Sequence, residues 1–238
     1  SYEFVKLYEK DKVFHLIFRL YADDGLSYHD FELTRRGDKI ATADVFLYST
    51  GDDMSKTVAE FAAYTNVENE DSEVKIKDLE QMIKVKQLLA EDKVKEAKDL
   101  FDKLPAALRN QKGSQIFYLS ICSATSDDLY TKALDEFETL YRNEPNLFLS
   151  LFDLYLMRKQ YDRALIAINK IDSMINKDPF LDFYRGVLYN YLDKKEDARK
   201  ALSSFYKFKP DFELGLQQLI LLHLDLGDYE AAKPLVAA

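Results

Sequence analysis

The chain has no tryptophan, one cysteine, three histidines, five prolines and seven glycines in 238 residues. Each scarcity excludes something. A single cysteine, Cys122, closes no internal disulfide, which fits a reducing compartment (cytoplasmic) or a cysteine-poor bacterial envelope. His15, His29 and His223 are scattered, and none stands at a helical spacing from another His, Cys or carboxylate that would hold a metal. The few glycines build no phosphate-cradling loop, and no Gly-x-Ser-x-Gly elbow is present. The reading is therefore not an enzyme, with no cofactor. No run approaches the roughly 18 apolar residues that span a bilayer, and no start resembles a signal peptide. Because the chain opens on Ser1 rather than Met, a processed or trimmed form is expected, and an export signal could have been lost with the missing start.

Positive charge is scarce as well, and the net charge is −9. Residues 1–64 hold 12 acids against 8 bases, residues 65–73 hold four acids and no base, and the remainder is nearly balanced. No segment is basic, which argues against nucleic acid or an anionic membrane as the main partner. What the chain does have is hydrophobic content of 47%, with 16 tyrosines and 16 phenylalanines. That is ample for a packed core.

Residues 1–65 read as an antiparallel meander plus one helix. Tyr2 to Leu7, Val13 to Tyr21, Leu26 to Arg35 and Lys39 to Ser49 are rich in aromatic and β-branched residues, with short turn-like breaks between them. Four strands are expected, then a helix to about Tyr64 capped by Asp53 or Ser55. A four-residue turn at Ala22–Gly25 makes cross-strand partners sum to 47, so His15 faces Glu32, Ile17 faces Asp30 and Arg19 faces Tyr28. Phe14, Leu16, Phe18 and Leu20 form an apolar face that needs a cover, from the repeats or from residues before Ser1. The opposite, mixed face reads as solvated, or alternatively as a small-molecule or accessory enzymatic pocket around His15, Arg19, Asp30 and Glu32. Residues 66–75 are an acidic linker between domains.

From residue 76 to 238 the period is helical. Ala97, Ala133, Ala164, Ala198 and Ala232 are each followed four residues later by a larger apolar residue, at separations of 36, 31, 34 and 34. A fixed period of this length denotes stacked helix pairs. Pro145, Pro179 and Pro210 close successive units. The 36-residue interval predicts an extension around Lys103 to Gly113, and the 31-residue interval a shortened inner turn.

Gly186, Tyr189, Ala198 and Pro210 stand at gaps of 3, 9 and 12, and Ala97–Phe101 and Ala133–Phe137 repeat the A-x3-F element. These residues resemble the tetratricopeptide repeat (TPR) family. Asp182 and Arg185 depart from its pattern, standing where it has tryptophan and leucine. The resemblance implies a mainly α, right-handed solenoid of about five helix pairs after a small α+β meander. It implies a non-catalytic scaffold binding a protein or peptide on its concave face. Carried onto this chain, the groove positions include Tyr118, Leu149, Asp153, Phe183 and Val187. These lack the lysine and asparagine clamp with which some members hold a terminal carboxylate, so an amphipathic helix or hydrophobic loop is the expected ligand. The aromatic-rich N-terminal stretch is similar to the curved sheets of NTF2-like or cystatin-like domains attached to bacterial repeat proteins.

Overall fold

A computed structural model describes residues 1–22, 25–65, 72–141 and 147–236. Four strands, β1 (Tyr2–Lys10), β2 (Val13–Ala22), β3 (Gly25–Arg36) and β4 (Lys39–Leu47), pair consecutively and antiparallel. The β2–β3 register is the expected one: His15 with Glu32, Ile17 with Asp30, Arg19 with Tyr28. A fifth strand, β5 (Asp52–Asp53), was not foreseen; its two residues pair with Phe46 and Leu47 as the chain turns into α1 (Met54–Thr65). The cap of α1 also differs from expectation. The Asp44 carboxylate on β4 accepts hydrogen bonds from the backbone N–H (3.1 Å) and the hydroxyl of Ser55, so the acceptor lies eleven residues upstream.

Among the described residues eleven further helices follow: α2 (Ser72–Ala90), α3 (Val94–Phe101), α4 (Ala106–Arg109), α5 (Lys112–Thr125), α6 (Asp127–Tyr141), α7 (Phe148–Met157), α8 (Tyr161–Met174), α9 (Leu181–Tyr191), α10 (Lys195–Phe208), α11 (Glu213–Asp225) and α12 (Tyr229–Val236). Among the described residues these make five consecutive helix pairs, α2–α3, α5–α6, α7–α8, α9–α10 and α11–α12, packed as in TPR proteins. The extra helix α4 occupies the extension expected between Lys103 and Gly113. Contacts group the chain into two compact units, Ser1–Ser150 and Leu151–Ala238. The acidic linker proposed for 66–75 falls at 66–71 outside the described residues, and α2 already begins at Ser72. Pro145 is likewise outside them.

Four of the inner turns are built alike. Asp92, Lys159, Asp193 and Gly227 take φ of 59°, 55°, 56° and 70°. In each, the following N–H reaches back five residues: Lys93 to Leu88 O, Gln160 to Tyr155 O, Lys194 to Tyr189 O and Asp228 to His223 O, at 2.8–2.9 Å. This 6→1 bond satisfies a carbonyl that the helix end leaves open. The α5–α6 turn is instead one extended residue, Ser126. That explains the irregular alanine spacing: Ala133 is the seventh residue of its helix, whereas Ala97, Ala164, Ala198 and Ala232 are each the fourth.

All five alanines are buried. The reason for small residues is plainest at Gly186, where an added Cβ meets Leu202 Cγ at 2.5 Å, and at Gly215, where it collides with the Phe205 ring. Phe205 in turn joins Phe180, Phe183 and Phe212 in a cluster with ring centroids 5.3–5.5 Å apart, which sews α9, α10 and α11 together. The departures from the TPR pattern serve the same junction with polar groups. Arg185 donates to Asp172 (2.5 Å), Asp182 (2.8 Å) and Asn169 (2.9 Å), and Ser204 donates to Asp182 (2.8 Å), tying α8, α9 and α10.

Two predictions follow from this packing. Gly186→Val costs about 1–3 kcal/mol of overpacking, more than the few tenths it gains in helix propensity. Thermal unfolding followed by circular dichroism is expected to show Tm lowered by about 2–4 °C per kcal/mol. In the first unit, Asp52 of β5 binds Lys56 of α1 (2.6 Å) and Lys112 of α5. Burial raises its pKa, but the two lysines outweigh burial and hold the carboxyl below its usual 3.8. Its stabilisation is therefore complete above the ordinary carboxylate range and is lost as pH falls through the depressed value. Asp52→Asn is expected to cost about 1–3 kcal/mol at pH 7, with wild type and variant converging in acid.

Candidate interaction surfaces

The sheet turns its mixed face inward, opposite to the expectation from its apolar pattern. Ile17 and Tyr28 have no exposed surface, and Arg19, Asp30 and Tyr48 are buried beside them. Several polar groups on this face pair with one another. Asp30 accepts from the Tyr8 hydroxyl through one carboxylate oxygen (2.5 Å) and lies 3.1 Å from His15 Nδ1 through the other. Arg19 pairs with Glu3 on β1, and Tyr8 stacks on His15 at 4.9 Å. Burial, then the hydrogen bond to Asp30, pushes the Tyr8 hydroxyl pKa well up; burial, then the Asp30 charge, does the same at Tyr48. His15, Arg19 and Asp30 thus sit together inside the fold, bonded within it, rather than on a solvated face. The sequence carried a signal for this in the cross-strand charge pair Arg19–Glu3 and in the tyrosines at 8, 28 and 48.

The apolar face is the outward one. Tyr2, Phe4, Leu7, Phe14 and Ile40 are each largely exposed, and Leu16, Phe18, Leu20, His29 and Phe31 are half-buried among them. Tyr2 stacks on Phe18 at 5.0 Å, Phe4 and Phe31 meet Phe18 edge-on, and the Tyr2 hydroxyl lies 3.3 Å from His29 Nδ1. Burial lowers the His29 pKa, keeping the ring neutral on this surface.

The residues at the expected groove positions differ among themselves. In the first unit, Tyr118 on α5 is half-buried and stacked on Phe101 at 5.0 Å; burial, then Cys122, pushes its hydroxyl up to about 12. Cys122 is buried, and burial pushes its thiol up, away from reactivity. Leu149 on α7 is buried. In the second unit, Phe183 is buried in the aromatic cluster described above, while Val187, one turn along α9, is half-exposed. Asp153 on α7 is exposed, yet the protein atoms around it raise its carboxyl to about 6. On α11, Gln217 and Leu221 stand at the same groove positions and are exposed. On the outer helix α10, an open cleft of about 650 Å³ is lined by Arg199, Lys200, Ser203 and Lys207; Arg199 there is held by Glu196 at 2.6 Å.

With helix pairing and inner turns established, comparison with solved structures is direct. The helical part is similar to MamA, a TPR protein. MamA from Desulfovibrio magneticus RS-1, residues 41 to the end, matches with a TM-score of 0.57 at 15% identity, over 68% of this chain and 92% of that one. MamA AMB-1 matches with a TM-score of 0.51 at 15% identity, over 68% and 89%. At this identity the likeness concerns the fold alone. No family model and no curated protein matches the chain. Among the described residues, no group of three or more His, Cys, Asp or Glu is placed to hold a metal ion. Among the same residues, no helix is long and apolar enough to cross a membrane.

Asp153 yields a test of its surroundings. Its folded pKa of about 6 lies above the ordinary 3.8, so the charged form opposes folding above pH 6, and that opposition is relieved as pH falls towards 4. Asp153→Asn is expected to raise Tm at pH 7–8, with the gain gone by pH 4.

Proposed function

We propose that the protein is a non-catalytic scaffold whose inner-helix groove binds a protein or peptide segment. The observation that carries this reading is the selective exposure of groove positions in the second unit. Asp153, Val187, Gln217 and Leu221 recur at the repeat phase and remain accessible, while Phe183 beside them is committed to packing. A row of accessible side chains, apolar at Val187 and Leu221 and acidic at Asp153, matches an amphipathic segment with a basic flank. Tyr118 and Leu149, at the equivalent positions of the first unit, serve that unit's interior more than its surface. The likeness to a TPR protein supports the scaffold class. The charge balance, with no basic segment, supports a protein partner over nucleic acid.

The test places a photo-crosslinking residue at Val187 or Leu221 and, as an outer-face control, at Lys200. Adducts with the cellular partner are expected from the two inner positions and not from Lys200. Equal yield from all three positions would contradict a groove ligand. Phe183→Ala is expected to lower stability by about 3–5 kcal/mol as a buried ring deletion, so it does not serve as a binding probe.

A further inference from the structure

We infer that the outward face of the N-terminal sheet is a self-association surface, on which a second copy of this chain stacks sheet against sheet. Four strands of 9–12 residues, at about 3.3 Å per residue and about 4.8 Å between strands, present roughly 600 Å² in projection. Corrugated by ring side chains, the accessible area approaches the roughly 800 Å² that each partner of a stable dimer buries. It matches or exceeds the apolar patch that a monomer ordinarily leaves in water. Tyr2, Phe4, Leu7 and Phe14 supply exposed anchors around the half-buried Phe18 and Phe31.

Three features favour a second copy over other occupants. The surface is a sheet, and flat sheet faces pack on one another in aligned sandwiches about 10 Å apart. Tyr2, at the start of the edge strand β1, and His29 on β3 are already partnered with each other, so their polar atoms enter the interface together. The register also puts Glu9 and Arg35 on this face, at the end where the β1–β2 and β3–β4 turns lie. A two-fold axis parallel to the strands lays β1 of one copy over β4 of the other and brings Glu9 of each towards Arg35 of its mate. Such an isologous contact closes on itself and stops at a dimer. An anionic bilayer is disfavoured, since Arg35 is accompanied on this face by Glu9 rather than by a basic cluster.

The experiment is sedimentation velocity on the full chain between about 1 and 100 μM, where a Kd of about 1 μM is readable. A species of twice 27.7 kDa is expected, little affected by NaCl, and converted to monomer by Phe4→Glu with Phe14→Glu. Both residues are exposed, so the double variant is expected to retain wild-type helicity. Leu221→Glu, on α11, leaves the dimer intact. A wild-type chain that stays monomeric throughout overturns the inference, as does a dimer that survives the sheet variant or dissolves with Leu221→Glu. A monomer that instead co-floats with phosphatidylcholine vesicles overturns it too, placing lipid on this face.

Discussion

The helical architecture depends on how closely paired helices approach one another. Where α9 meets α10, the approach leaves no room for a Cβ at Gly186, because Leu202 already fills the space. Where α11 lies on Phe205, Gly215 meets the same condition. The buried alanines at the fourth position of α3, α8, α10 and α12 extend that rule along the chain. Once these small residues set the spacing, the rings of Phe180, Phe183, Phe205 and Phe212 fit between pairs, and a left-handed residue in four of the inner turns sets the path back. Polar residues reinforce this spacing: Arg185 and Asp182 take positions where bulky apolar residues serve in the TPR pattern; Arg185 joins α9 to α8 by charge, and Asp182 accepts a hydrogen bond from Ser204 of α10.

Much of this was legible in the sequence, because a close helix approach leaves a mark in composition at a fixed period. The small residues and the closing Pro179 and Pro210 gave the repeat phase. The 36- and 31-residue intervals were visible as irregularities, but their cause was not. One residue, Ser126, replaces a three-residue turn and displaces Ala133 within its helix, and only coordinates distinguish that from a change in loop length. The β2–β3 register was equally legible, since a four-residue turn fixes it. Burial of groove positions was not: Phe183 and Val187 are one turn apart on α9, and neighbouring repeats decide which is covered.

The orientation of the sheet is where pattern and structure part. Alternation predicts that the strand face richer in phenylalanine and leucine is the buried one. The chain instead buries a face that carries cross-strand polar pairs, with Asp30 between Tyr8 and His15, and Arg19 against Glu3. Pairing offsets part of the cost of burying these polar groups, and Ile17, Tyr28 and Tyr48 supply apolar bulk around them. The phenylalanine-rich face is thereby left exposed, and in the second unit Val187 and Leu221 stay accessible.

Thiol labelling of Phe14→Cys and Ile17→Cys chains addresses the sheet orientation most directly. It is carried out at a concentration low enough to keep copies apart, with the native Cys122 buried in both. The account predicts that the thiol at 14 reacts at nearly the rate of an unhindered cysteine and the thiol at 17 far more slowly. The reverse order would contradict it.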